Sequence, residues 1–536
     1  MKNGSDRRRK IPRIAGWAGA LSLALWTVGC GTPEVRPKPE LAALAVKTGE
    51  IESVRLTEQS KSPPVTIEQA TKELAKGVTE PNQPRPVMKL TLEEVRAAAL
   101  ANNLSLKVQL ISPSIAQQAV DVERAKFESV FRASASYGTP SSRAFEAGIT
   151  TPLQTGGTIA ASLPVEDADG VSEAAASVSV VQSLLRGAGT RVNTYSIQIA
   201  TYEKGAVDAI TKLQAIYILG GADIAYWRLY AARKDLNVSR EQYKLAQNQL
   251  DYARHKVEAG SAPKNEIVRA EAGLSGRLGA VIRAETAVRD LERDLKRIMS
   301  RPDMPLHSPV DINTVTDPDP KGLDLDPETL VTAALANRME LVELEYRLAI
   351  GEIGIAQARN DLLPLLNLEY AYAAGGQAGN TGGAFEDLFR DPSQDHRVVL
   401  SATIPLGNRA AAARLRQARL EKVQTQVSRH RQEQRIRQEV YDAVDGLRQN
   451  WRQILAAEQG VIRVYRNYRV EQSQFQLGRR TSTEVLRAAA DLADAQLGRI
   501  RAFADYEIAQ VVLARATGTL LGRGQVQLRP VVLEGK

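Results

Sequence analysis

The chain has 536 residues, of which 43% are hydrophobic but only 5% aromatic, so it is long enough for several domains yet poor in the rings that fill ordinary globular cores. The formal charge of +8 is concentrated at one end: residues 1–29 hold Lys2, Arg7, Arg8, Arg9, Lys10 and Arg13 against Asp6 alone. What remains is too weakly basic to imply a nucleic-acid partner, and the Ala, Arg, Leu, Glu and Gln of the second half are the composition of long helices packed through small residues.

In chain order, residues 1–29 read as a signal peptide, with a basic start (RRRKIPR) and an apolar run from Ile14 to Val28 that is too short to span a bilayer as a helix. Cys30, the only cysteine, follows Gly29 directly. This pattern resembles a bacterial lipobox, with Thr27 standing where leucine is usual, and implies that Cys30 is lipidated. Gly31 occupies the place of the aspartate that often marks inner-membrane retention, which points to the outer membrane. Residues 30–86 are rich in Pro, Lys, Glu and Thr and read as a tether with a short helix at 66–76.

Two long units follow, 87–305 and 306–522, with a tail at 523–536. The stretch LEEVRAAALANNLSL (92–106) aligns with PETLVTAALANRMEL (327–341), matching Asn102 to Asn337 and Leu106 to Leu341, so the chain carries an internal duplication. Each unit opens with an amphipathic helix and then changes period. In LNLEYAYA (366–373), Leu366, Leu368, Tyr370 and Tyr372 alternate with Asn367, Glu369, Ala371 and Ala373, and RVVLSATI (397–404) alternates likewise. Their counterparts are RASASY (132–137) and ASVSVVQ (176–182). Alternation of period two marks half-buried strands, in a membrane barrel or in soluble hairpins. Residues 144–163 read as a further hairpin around Thr155-Gly156-Gly157 that either extends these strands or caps them.

After Pro405 no proline occurs until Pro530, and apolar residues recur at spacings of 4 and 3: Val440, Val444, Leu447, Trp451, Ile454, Val461, Tyr465, Tyr468 and Phe475. That is a coiled-coil seam, broken in register by Glu458 and Gln472. A helix over Arg409–Gln476 is predicted, on the order of 100 Å long at 1.5 Å per residue. Beyond it Leu486, Ala490, Ala493, Leu497, Ile500, Ala504, Val511 and Ala514 form a second seam interrupted by Glu507. Joined by a tight turn, the two helices must fold back antiparallel. The first unit has the same plan over 191–258 and 264–299, with Gly205, Gly220 and Gly221 marking places to bend or fray.

Four membrane-type strands per chain cannot close a barrel, and an open sheet cannot sit in lipid with bare edges. Three chains would supply about 12 strands and close. The duplicated helices, the strand-to-helix junctions VVQSLLRGAGTRVN (180–193) and IPLGNRAAAARLRQA (404–418), and the two broken-helix turns resemble the TolC-type outer-membrane efflux protein family. The match covers nearly everything from Leu90 to Leu521, with Ser183 in place of a customary proline. The resemblance implies a mainly α fold with a membrane β-barrel: a homotrimeric 12-stranded barrel, extended if the 144–163 hairpin joins it, above a periplasmic α-helical barrel. It also implies a periplasmic adaptor and an inner-membrane pump as partners.

The turn GRRTSTEVLR resembles the family's periplasmic tip. Carried over by position, Gly478 is the turn glycine, Thr481 the polar turn residue and Glu484 the first acid of the entrance, while Arg487 stands where a second acid is common. In the first unit Gly260, Pro263 and Glu266 align with Gly478, Thr481 and Glu484. Both acids also suit a helix start on physical grounds, since the first turn favours a carboxylate.

No enzyme is indicated. His255, His307, His396 and His430 are scattered without metal-ligand spacing, and no cofactor motif is present. GGQAGNTGG (375–383) lacks a Lys-Ser/Thr ending and reads as a surface loop between strands. The arginines at 409–437 read as solvated helix faces. The competing reading is a lipid-tethered coiled-coil structural protein of the envelope without a pore.

Overall fold

The computed structural model describes residues 63, 65–70, 85–138, 142–261, 263–477 and 479–524. The chain divides into two units, Met1–Pro84 and Arg85–Lys536. In the first, residues 67–70 are helical, opened by the Thr66 hydroxyl accepting from the Gln69 N–H. Cys30 lies outside the described residues.

The second unit is built twice on one plan. Strand β1 (Val87–Leu90) leads to α1 (Leu92–Asn102) and α2 (Leu104–Ala125), then to four strands: β2 (Val130–Gly138), β3 (Ser142–Pro152), β4 (Gly157–Ala168) and β5 (Val171–Ser183). A short α3 (Thr190–Asn193) and two long helices, α4 (Tyr195–Glu258) and α5 (Asn265–Met299), complete the first repeat. The second runs β6 (Asp311–Thr314), α6 (Pro327–Asn337), α7 (Met339–Asn360), β7 (Leu365–Ala378), α8 (Thr381–Arg390), β8 (Ser393–Thr403), α9 (Arg409–Gln476), α10 (Ser482–Ala516) and α11 (Leu520–Arg523).

Equivalent residues make equivalent bonds, which is the physical content of the duplication. Thr91 and Asp326 both cap a helix through their side chains. Asn103 donates to the Ile298 carbonyl at 2.8 Å, and its counterpart Arg338 donates to the equivalent Ala516 carbonyl at 3.1 Å. At the hairpin tips Ser261 N–H donates to Lys256 O at 2.8 Å, and Arg479 N–H to Gln474 O at 2.9 Å.

The helices form a wall one layer thick. Near the tips the lateral order is α5-α4-α10-α9, and near the strands it is α2-α4-α7-α9, so each level holds four helices. Between the levels β1 and β6 pair in parallel, and the main core gathers around Tyr226, Leu229, Leu295 and Met299. Arg96 on α1 grips the fully buried Asp223 on α4 through two bonds of 2.7 and 2.8 Å.

One expectation about the helices needs correction. α4 runs unbroken for 64 residues through Gly205, Gly220 and Gly221. Two of these glycines mark close approach instead: a Cβ at Gly205 would lie 2.5 Å from the Tyr346 ring, and one at Gly220 would lie 3.3 Å from Leu520. The second seam faces the first repeat, not α9. Ala504, Val511 and Ala514 pack with first-repeat residues such as Tyr226, Ile216 and Leu219 on α4. α9 meets Ala502, Tyr506 and Ala509 on another face of α10. α10 is sandwiched, so it buries two stripes.

The sheet is a six-stranded antiparallel meander in the order β2-β3-β4-β5-β7-β8. The 144–163 hairpin, left undecided by the sequence, extends the sheet as β3 and β4. GGQAGNTGG is not a loop between strands: Gly375–Ala378 end β7, and Thr381–Gly383 open α8, capped by the Asn380 side chain accepting from Gly383 N–H at 2.8 Å.

Candidate functional site

The ladders fix which side chains share a face. Pairing of Phe131 with Ile149, Ile149 with Ala161, Ala161 with Val178, Val178 with Tyr372 and Tyr372 with His396 carries one face across all six strands. On it stand Phe131, Tyr137, Phe145, Ile149, Ile159, Val178, Val180, Leu368, Tyr370, Val398 and Leu400, all exposed, with Phe131, Tyr137, Val398 and Leu400 each at least 64% accessible. So large and continuous an apolar exposure marks a surface made for another apolar phase. The opposite face carries Arg132, Ser134, Glu146, Ser162, Ser177, Glu369, Ser401 and Arg397. Strands of 9 to 14 residues match the roughly 9–11 needed to cross a bilayer at a tilt.

Aromatic side chains stand on the apolar face at two levels, two of them toward the end of the sheet away from the helices. Tyr137 and Phe145 lie there, while Tyr370, opposite Val180, and Tyr372, opposite Val178, stand nearer the helices on the same face, with the Tyr370 hydroxyl 3.0 Å from His396 Nδ1. Aromatic rings with one polar edge suit a membrane–water boundary. Beyond them α8 covers the apolar face, burying Ala384 and Leu388 against Ala174, Leu163, Val165 and Ala374. Among the described residues no helix is long and apolar enough to cross a membrane.

At the strand-to-helix junction the departures from the resembled pattern have partners. Ser183, standing for the customary proline, donates its hydroxyl to Asn367 Oδ1 at 3.1 Å, tying β5 to β7. Gly187 has φ +79, and its N–H donates to Asn360 Oδ1 at 2.8 Å. The β3–β4 turn is fastened to the same junction: Gly189 N–H donates to Thr155 O at 2.9 Å, and a Cβ on Gly156 (φ +86) would strike Gly187 O.

The sequence-derived tip residues fall at the two helix turns farthest along the chain from the sheet. Gly260 adopts φ +69 and closes α4; Gly478 lies outside the described residues. Pro263 O accepts the Glu266 N–H at 3.0 Å. Thr481 is the N-cap of α10, and its N–H donates to Glu484 Oε2 at 2.7 Å. That bond, with the Thr481 hydroxyl and the Arg480 guanidinium at 2.8 Å, holds the Glu484 carboxyl below the usual carboxylate range. Glu266 pairs with Arg269 at 2.9 Å, while Arg487 is exposed and makes no ion pair with a described residue. The two tips touch: the Tyr252 and Phe475 rings stand edge to face at 5.9 Å, with Lys256 Nζ 4.8 Å from the Tyr252 centroid.

Sequence reasoning missed Phe145, Ile149 and Ile159 as members of the apolar face. Their alternation is present in RAFEAGITT and TIAASLPVED, but Pro152 and Pro164 interrupt it, and proline speaks against a central strand. The β4–β5 ladder indeed skips Leu163 and Pro164. Among the described residues no group of three or more His, Cys, Asp or Glu could hold a metal ion.

Residues 330–519 match the model of the outer membrane efflux protein family. The chain is 22% identical over 311 residues to the outer membrane efflux protein BepC of Brucella suis biovar 1 (strain 1330), covering 57% of this chain and 65% of that protein. Its fold is similar to the Campylobacter jejuni CmeC outer membrane channel, with TM-score 0.62 and 16% identity over 80% of this chain and 86% of that one. It is similar also to a Pseudomonas aeruginosa membrane protein, with TM-score 0.61 and 18% identity over 80% and 93%. The chain spans just under two thirds of the length of its curated relative.

Proposed function

We propose that this chain, a member of the outer membrane efflux protein family through residues 330–519, assembles as a homotrimer that conducts cargo out of the cell through the outer membrane. The observation that carries the reading is the two-faced sheet with bare edges. Its apolar face suits lipid, its polar face suits water, and its edge strands β2 and β8 carry unpaired backbone groups that a membrane would not tolerate. Closure around an axis satisfies all three. The helical wall continues below the sheet for about 100 Å, given 64 and 68 residues at 1.5 Å each, too long to remain inside a bilayer and suited to crossing the periplasm. Such an object is a conduit and not a catalyst.

Within this reading the tips at Gly260, Pro263, Gly478 and Thr481 meet a periplasmic adaptor that links the channel to an inner-membrane pump. Three copies of Glu266 and Glu484 ring the entrance, offset by Arg487. Cys30 is the lipidated residue after removal of residues 1–29, and anchors the tether to the outer membrane.

The decisive test is a planar-bilayer recording of the purified, heat-sensitive assembly. Discrete ion-conducting events are expected from a trimer; a protein that conducts nothing, and that Cys30→Ser releases from membranes without detergent, would instead be a tethered rod. In the same recording Glu484→Lys is expected to lower cation preference. Unchanged selectivity would leave Glu484 with its cap function alone.

A further inference from the structure

The helical wall and the sheet do not have the same number of elements. At the level next to the membrane the four helices α2, α4, α7 and α9 each continue into one strand: α2 into β2, β5 into α4, α7 into β7 and β8 into α9. The sheet has six strands, so β3 and β4 stand over no helix. Their inner turn ends on the junction above α4, where Thr155 bonds Gln182 and Gly189.

We propose that this hairpin is part of the barrel wall, so that three copies close an 18-stranded barrel about as wide as the helical tunnel beneath it. The inference rests on the trimer proposed above and concerns the width of its outer-membrane passage.

Four observations carry it. First, β3 is laddered over Ser142–Thr150 to β2 and over Arg143–Pro152 to β4, and β4 to β5 on both sides of Pro164, so the hairpin lies in the plane of the sheet and neither plugs nor caps it. Second, its side chains keep the phase of the wall: Phe145, Ile149 and Ile159 join the apolar face, while Glu146, Ser162 and Glu166 join the polar one.

Third, the added pair is an even number of strands. β2 runs away from the helices and β8 back toward them, so the edge of one copy meets the edge of the next antiparallel, like every seam inside the sheet. β8 is exposed at every position and β2 at all but its last. A second copy of this chain is the occupant whose edges fit in direction, in length and in facing. Fourth, the circumferences agree. Twelve helices, four from each of three copies, spaced by about 10 Å, trace on the order of 120 Å. Eighteen strands, six from each copy, about 4.8 Å apart and tilted by about 40°, trace roughly 110 Å, whereas 12 would trace only about 75 Å. With the hairpin in the wall, the barrel imposes no narrower size limit than the tunnel that feeds it.

The test is cryo-electron microscopy of the full-length assembly in lipid nanodiscs, counting subunits and strands. Three subunits and 18 strands are expected. Three subunits with 12 strands and a projecting hairpin would overturn the inference while leaving the trimer intact. Two subunits closing through 12 strands would overturn the trimer as well, and the subunit number tells the two failures apart. A variant with residues 139–170 replaced by Asn-Gly, joining β2 directly to β5, is expected to close as a barrel of about two thirds the circumference, by strand number. An unchanged barrel circumference in that variant would also overturn the inference.

Discussion

Single residues hold the helical wall in register, and their burial sets what their loss should cost. Asp223 is fully buried and its only ion-pair partner among the described residues is Arg96. Asp223→Ala strands the guanidinium, and breaking such a pair costs about 3–5 kcal/mol; a clear fall in the thermal midpoint of the assembly in detergent is expected. Glu507 is the opposite case. It interrupts the α10 seam and is buried, and desolvation pushes its carboxyl above the usual range, only partly offset by Arg523. A raised carboxyl pKa penalises the charged native form at neutral pH, and the penalty disappears as pH falls through that pKa to the unfolded value. Glu507→Gln should therefore raise the midpoint at neutral pH by a few degrees, with parent and variant converging in acid. A gap that widens in acid would contradict the assignment. Sequence reading identified Glu507 as an exception to the seam; it could not place it, because α10 has two buried faces and the register of one does not reveal the other.

At the scale of elements, glycine in α4 shows why a local propensity is a weak guide. An isolated glycine costs a helix about 1 kcal/mol, which favours a bend at Gly205; the Tyr346 ring resting where a Cβ would be gives the residue another use. Gly205→Ala is expected to lower stability by about 1–3 kcal/mol through overpacking despite its better helix propensity, and Tyr346→Leu should relieve part of that loss. If Gly205→Ala stabilises instead, the close packing of α4 on α7 is not what holds that position. The α10 cap makes a second element-scale prediction. Glu484 is held below the ordinary carboxylate range by Thr481 and Arg480, so its contribution is present at neutral pH and is lost as pH falls through that lowered value. Glu484→Gln should accelerate hydrogen exchange in the first turn of α10 at neutral pH, with the difference vanishing in strong acid.

At the scale of the whole molecule the sheet is informative because it is unfinished. An apolar face that size, on strands with two bare edges, has no stable place in water and none in lipid until neighbours close it. Purified protein should accordingly require detergent and run as a heat-sensitive assembly much larger than one chain; a detergent-free monomer that keeps its sheet would contradict the reading. The edges and the wall arise from the same duplication, since each repeat delivers a strand from one helix and returns another strand to the next.

The sequence by itself determined the duplication, the long helical hairpins, the tip turns and the alternation of four strands. Each is a local periodicity or a repeated motif, and local patterns survive without coordinates. Only the tertiary structure decided the membership of β3 and β4, the sandwiched position of α10 and the close packing at Gly205. These depend on which element lies beside which, and lateral neighbours leave no period in a single chain: proline is unusual in a central strand, and only the ladders on either side of Pro164 place the hairpin inside the sheet.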